Sequence, residues 1–312
     1  MSAARLRSSR IDAEIRRLSG ATMGTGWSLS FAAPDSVTNP AVVSALEETF
    51  ALVIRQMSGW EPTSDLCRFN RAEPGWRELP EEFFKVLKRA LEIAELTGGA
   101  YNPALGAKID ALGFGPGFEH DQAARDWRDI KLDAEKRAAF QPGGATLDLS
   151  SIAKGHAVDL CAAQLRTLGI PSFLMEIGGE FAGEGVKPDG NPWWVGLQLS
   201  DLPPAPDEPA HTDVALVGLA LATSGDFIHR RDDVSHLLDG RTGETVTGPL
   251  SGVSVLHASA MEADGWATAL FALGPEAGLA MADGQGLAAI FARRSPDGAS
   301  LELSRKAKEM LG

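Results

Sequence analysis

The sequence predicts a fold that mixes helices and strands without regular alternation, and three observations carry that expectation. Long stretches with apolar residues at helical spacing, such as 39–57 and 260–273, are separated by short runs that alternate as strands do. Glycine and proline pairs punctuate both kinds of segment. The spacing G-x-G-x-x-G after a strand and opening a helix is absent, so a dinucleotide-binding parallel sheet has little support.

The totals narrow the class. At 312 residues and 44% hydrophobic content, the chain can bury a sizeable core as one large domain or two ordinary ones. A net charge of −13 argues against general binding to nucleic acid or anionic membranes, which needs a basic face, but leaves room for a local phosphate site. No apolar run approaches the roughly 20 residues that span a bilayer, so no membrane insertion is expected. The first twenty residues show neither an apolar signal core nor a cysteine for a lipid anchor. The chain as written is therefore expected in the cytoplasm, or in the periplasm if its N-terminus is processed or truncated. Cys67 and Cys161 lack metal-type spacing and read as structural thiols.

Taken in order, residues 1–20 read as a polar, basic segment with a frayed short helix, and Met23 to Phe31 as a strand entered through Gly24–Thr25–Gly26. Asn39 to Met57 is an amphipathic helix; Ser58 to Asn70 crosses a surface or a pocket rim. A helix from Pro80 to Leu96 stops at Gly98–Gly99 and delivers the chain to Ala100–Tyr101–Asn102–Pro103. Tyr101, the only tyrosine, either leans over a flat ligand or plugs the loop. Strands are expected at 173–177, 193–199 and 214–222, with a glycine-dense turn over 178–185. Thr223–Asp226 and Ser235–Asp239 are expected to form a hairpin carrying Gly240–Gly243. A strand at 252–257, helices at 260–273 and 275–282, a strand at 288–292, and a small hairpin and tail complete the chain.

Thr146 to Gly169 joins a strand signal, alternating at Leu147, Asp148 and Leu149, to a helix whose apolar stripe runs from Ile152 to Leu168. Ser150 and Ser151 offer an N-cap. Lys154 then falls in the first turn, where the helix dipole disfavours a cation. Either an anion such as a phosphate or carboxylate binds there, or Lys154 is a solvated side chain beside an ordinary cap. Asp264 and Thr268 are four apart and share one helix face, a pair of hard oxygens suited to Mg2+ and equally at home on a solvated surface. His236, between Ser235 and Asp239, is the best histidine for moving a proton near neutral pH, unless it merely fills a strand end. His120, His211, His229 and His257 stand in weaker contexts.

Eight segments in order resemble the FAD:protein FMN transferase family, the ApbE flavin transferases. They are ATMGT at 21–25, MSGWEPTSDLCRFN at 57–70, GGAYNPALG at 98–106, LDLSSIAKGHAVD at 147–159, EIGGE at 176–180, TSGD at 223–226, SHLLDGRTG at 235–243 and ADGWATAL at 263–270. The resemblance implies an α+β fold with mixed or antiparallel sheets flanked by helices and an FAD cleft between lobes. It also implies one flavin transferase domain over 21–312, preceded by an extension over 1–20. The implied reaction uses Mg2+ and FAD, moves the FMN moiety to a Thr or Ser hydroxyl of an acceptor protein, and releases AMP.

By motif position, the resemblance places metal ligands at Asp264, Thr268 and the Ser151 carbonyl, with Ser150 or Asp148 left to cap the helix. Asp148 and Lys154 fall on flavin-nucleotide contacts, and Met23, Trp60, Ala100, Tyr101, Asn102 and Leu238 on positions lining the FAD site. His236 is assigned to acid/base work or phosphate binding, and Asp264 counts as catalytic through the metal. Three departures stand out: Trp60 where the family commonly has Tyr, Asn102 where it has Asp, and Asp239–Gly240 where it has Asp-Pro. Two other activities share the same residues: an FAD pyrophosphatase releasing free FMN and AMP, and a non-catalytic FAD-binding protein.

Overall fold

The computed structural model describes residues 13–117, 126–206, 208, 212–227, 230–231 and 234–311. His120, His211 and His229 lie outside them. The frame is an eight-stranded sheet: β1 Ile15–Thr22, β2 Thr25–Ala32, β3 Ser172–Ile177, β4 Glu180–Glu184, β5 Leu219–Gly225, β6 Leu250–His257, β7 Ala288–Ser295 and β8 Gly298–Leu303. Each strand pairs antiparallel with the next in the chain, so the sheet is a meander with helices inserted between strands. That is the α+β arrangement the resemblance implies.

The sheet buries both faces, and the alternation of side chains along each strand divides two cores between them. On one face Leu29, Phe31, Ala222, Val253, Val255 and Phe291 meet four helices: α1 Asn39–Met57, α2 Glu81–Leu96, α3 Ser150–Thr167 and α4 Ala260–Leu273. On the other, Leu221, Leu256 and Ile290 pack with Val195, Val214 and Leu216 of the ribbon formed by Trp193–Gly196 and Asp213–Leu216. No helix among the described residues is long and apolar enough to cross a membrane.

The helix bounds follow the sequence signals closely. Thr38 caps α1, Ser259 caps α4 through Glu262 N–H, and Gly274, at φ 81°, ends α4. Elsewhere tertiary pairing overrides local pattern. The segment expected as a frayed helix is instead β1, which crosses the boundary drawn at residue 20 and pairs along its whole length with β2. Met23 and Gly24, both at positive φ, make the turn between them, so β2 starts at Thr25 rather than Met23.

Leu149, at φ −112°, ψ 13°, already leads into α3, and Leu147–Leu149, expected as a strand, joins no sheet. The Asn70 side chain takes its place as a ladder partner, accepting from Leu147 N–H at 2.8 Å and donating to the Leu147 carbonyl at 2.9 Å, while Asp148 N–H donates to the Pro103 carbonyl. The glycine-dense stretch turns at Gly178–Gly179, continues as β4 and bends again at Gly185, at φ 63°. The strand expected over 214–222 breaks at Gly218 into the ribbon strand and β5. Thr223–Gly225 belongs to β5 and pairs with β6, so it forms no hairpin with 235–239; the hairpin bearing Gly240–Gly243 pairs Leu238–Asp239 with Glu244–Thr245. The C-terminal tail closes with a short helix, Arg305–Leu311.

Candidate functional site

Helices α3 and α4 pack closely along their contact, and the tightest approach is made at a glycine. A Cβ on Gly155 would lie 2.2 Å from the Ala260 carbonyl oxygen and 2.8 Å from Asp264 Cβ, so only glycine admits this approach. Asp159, one turn on, accepts from the N–H groups of Ala260 and Met261 at 2.7 and 3.1 Å and from the Ser259 hydroxyl at 2.5 Å. The start of α4 is thereby bolted to α3.

The contact places Asp264 in the core with its Oδ2 accepting from Gly155 N–H at 2.9 Å. In a regular helix that N–H belongs to the carbonyl four residues back, that of Ser151. Asp264 therefore competes for the donor and frees capacity on the Ser151 carbonyl. The other Asp264 oxygen makes no hydrogen bond among the described residues. Burial raises the Asp264 carboxyl pKa, opposed by the Lys154 ammonium and the Gly155 N–H. One turn along α4, the Thr268 hydroxyl pairs with Ser224 Oγ at 2.8 Å, on a face that is packed rather than solvated.

Lys154 is in the second turn of α3, because the helix begins at Ser150. Asp148 accepts from both the N–H and the hydroxyl of Ser150, at 2.8 and 3.0 Å, so it satisfies the first turn and neither serine is the cap. The Lys154 ammonium reaches Glu180 Oε1 at 2.5 Å. Glu180 was not singled out in the sequence, although it closes the EIGGE segment. The Gly178–Gly179 turn starts β4 at this residue, with its side chain 3% exposed and Oε2 without a partner among the described residues. Burial pushes the Glu180 carboxyl up to about 8 despite the lysine. Burial works against the Lys154 charge too, yet the carboxylates of Glu180, Asp264 and Glu176 more than offset it and raise its pKa.

Tyr101 proves to be both plug and partner: it is 3% exposed, and Ser151 Oγ donates to its hydroxyl at 3.1 Å. Burial raises its pKa. Ala100 is buried beside it, and Leu238 is buried on the hairpin that packs against α4. Asn102 bridges the two loops, with its amide donating to the Gly240 carbonyl. Ser151, Lys154, Asp264, Thr268, Tyr101 and Asp148 thus gather around the α3–α4 crossing. Three expected residues stand on separate turns. Met23 occupies the β1–β2 turn, beside an open cavity of about 410 Å³ lined by Ala21–Gly26. Trp60 is 66% exposed on the loop after α1. His236 lies before the Leu238 hairpin, with its ring 6.1 Å from that of Phe114.

Outside the cluster, the cysteines are buried free thiols, and burial pushes Cys161 up to about 12. His257 accepts from Ser259 N–H at the start of α4. Among the described residues no three His, Cys, Asp or Glu side chains converge as a cation cage. A cation at the crossing would draw on one carboxylate and neutral oxygens.

Comparison with known proteins identifies the fold and the family. The sequence is 32% identical to the FAD:protein FMN transferase of Vibrio cholerae, over 92% of this chain and 90% of that protein. Its identity to the Haemophilus influenzae FAD:protein FMN transferase is 29%, over 92% and 89%. The fold superposes on the crystal structure of the Pseudomonas stutzeri flavinyl transferase ApbE, apo form, with a TM-score of 0.86 and 28% identity, covering 97% of this chain and 98% of that one. The sequence model of the ApbE family matches residues 23–291, and the chain belongs to that family.

Proposed function

We propose that this protein transfers the FMN moiety of FAD to a Thr or Ser hydroxyl of an acceptor protein, with Mg2+ held at the α3–α4 crossing and AMP as the second product. The observation that carries the reading is the half-buried Lys154 with buried Glu180 and Asp264 beside the Ser151 carbonyl, which joins a cation donor to oxygen ligands in one place. The names of the relatives supply the substrate: each is an FAD:protein FMN transferase.

The donor set fits Mg2+. Asp264 offers a carboxylate oxygen, Thr268 a hydroxyl and Ser151 a carbonyl whose usual helical donor is shared, all hard oxygens; their small number suits an ion that keeps waters and substrate phosphates in its shell. Bound there, a divalent cation supplies charge neutralisation to a diphosphate as one of its P–O bonds breaks. The protein does the rest. Lys154 donates to a phosphate oxygen, and Trp60 presents an exposed ring for a flat heterocycle, assisted by Met23. His236 accepts the proton of the acceptor hydroxyl, whose oxygen bonds to the FMN-side phosphorus while the bond from that phosphorus to the bridging oxygen breaks and AMP departs.

The test is incubation with FAD and Mg2+, with and without an acceptor protein, read by intact mass and nucleotide analysis. The expected result is one FMN moiety added per acceptor and an equal amount of AMP. Free FMN produced at the same rate with or without acceptor would identify a pyrophosphatase. Stoichiometric FAD with no AMP would identify a carrier.

A further inference from the structure

Two of the departures from the family pattern, Asn102 and Gly240, are in direct contact. Gly240 N–H donates to the Ala100 carbonyl at 2.9 Å, and Asn102 Nδ2 donates to the Gly240 carbonyl at 3.1 Å. Asn102 Oδ1 accepts from Ala104 N–H at 2.8 Å, so both ends of the amide are engaged within the protein. A Cβ on Gly240 would lie 2.3 Å from the Gly99 carbonyl oxygen and 2.4 Å from Asn102 Cβ, so the hairpin seats on the loop only because residue 240 has no side chain. We infer that Asn102 and Gly240 are a matched positioning pair, clamping the Leu238 hairpin onto the 99–102 loop so that one wall of the flavin site is set before the ligand arrives.

The match is chemical as well as steric. A carboxylate at 102 would keep the bond from Ala104 but turn an acceptor toward the Gly240 carbonyl, and a proline at 240 would remove the N–H that Ala100 accepts. Each residue fits the other and neither fits its alternative partner. The clamp also changes the role of Asn102. Its polar atoms serve the hairpin, and the residue acts on the ligand through Ala100, Tyr101 and Leu238. Setting that wall in advance lowers the ordering cost of binding, so the clamp acts on affinity for FAD more than on the chemical step. This inference rests on the flavin transferase reading for its ligand and on geometry alone for the clamp.

The decisive variant is Asn102→Asp, which retains the Ala104 bond and removes only the donor to Gly240. Hydrogen exchange at the Gly240 amide is expected to quicken about tenfold, and KM for FAD to rise about tenfold with a smaller change in kcat, the scale of one lost hydrogen bond. Gly240→Ala is expected to raise KM further. Wild-type amide exchange and wild-type KM in Asn102→Asp would overturn the inference. So would a fall in kcat at unchanged KM, the mark of a smaller folded fraction. If the unaltered protein binds no FAD, the flavin reading fails, and the exchange rate of Gly240 decides the clamp by itself.

Discussion

Around Gly155 two helices meet backbone to side chain in the core, whereas around Asn102 two loops are tied by hydrogen bonds at the edge of the site. The first contact has no slack: Asp264, Gly155 and the Ala260 carbonyl are within van der Waals contact, and Asp159 pins the helix end beside them. The second joins two irregular segments through a few hydrogen bonds, beside the buried side chains of Ala100, Tyr101 and Leu238. Under the proposed function the difference assigns distinct tasks, with the floor holding charge at fixed positions and the rim receiving a large ligand and an acceptor. Damage to the floor should therefore cost stability and chemistry together, and damage to the rim should cost affinity.

Gly155→Ala should do the most harm. A methyl group there drives α3 from α4 and breaks the Gly155–Asp264 bond, at a cost of about 3 kcal/mol. Thermal melting and transfer assays should fall together. Wild-type stability in this variant would mean that the crossing can relax, and the contrast between floor and rim would be lost.

Glu180→Gln should produce an intermediate effect with a diagnostic pH dependence. Its folded pKa is raised from 4.5 to about 8, so between those values the folded state holds a proton that the unfolded chain has released. Stability from this group is complete at the low end of that window and is lost as pH rises through about 8. Melting followed across the window should show the decline in the unaltered protein, on the order of 2 kcal/mol after sharing with Lys154, and a flatter profile in the variant. An unchanged profile would place the pH sensitivity elsewhere.

Trp60→Ala should alter stability least, by no more than about 0.5 kcal/mol, because the ring is already in solvent. FAD affinity measured by flavin fluorescence should nevertheless fall about tenfold, the scale of one lost stacking contact. A variant that melts early yet binds FAD normally would reverse the roles given to rim and floor.

The same contrast governs how much was legible in the sequence. Helix α4 is legible to its end residues because the apolar run and Gly274–Pro275 are local signals, and Asp264 and Thr268 come with it through their spacing. The partner of Lys154 was not legible. Glu180 is brought to it by the pairing of β3 with β4 and the packing of α3 on the sheet, neither of which has a local signature. Leu147–Leu149 misled for a related reason, since a strand-like alternation there is satisfied by one asparagine side chain instead of a neighbouring strand. β1 was hidden because an exposed edge strand containing Arg17, Ser19 and Gly20 lacks the apolar alternation of a half-buried one. The rim pair Asn102 and Gly240 could be seen only as two separate oddities until the structure put them in contact.

The most direct test of the central claim is the rate of AMP release from FAD as Mg2+ is raised, compared between the unaltered protein and Asp264→Asn in the presence of an acceptor. The account predicts a saturable Mg2+ dependence in the former, and in the latter a loss of at least about a hundredfold at every Mg2+ concentration with FAD still bound. Equal rates in the two proteins, or release independent of Mg2+, would contradict it.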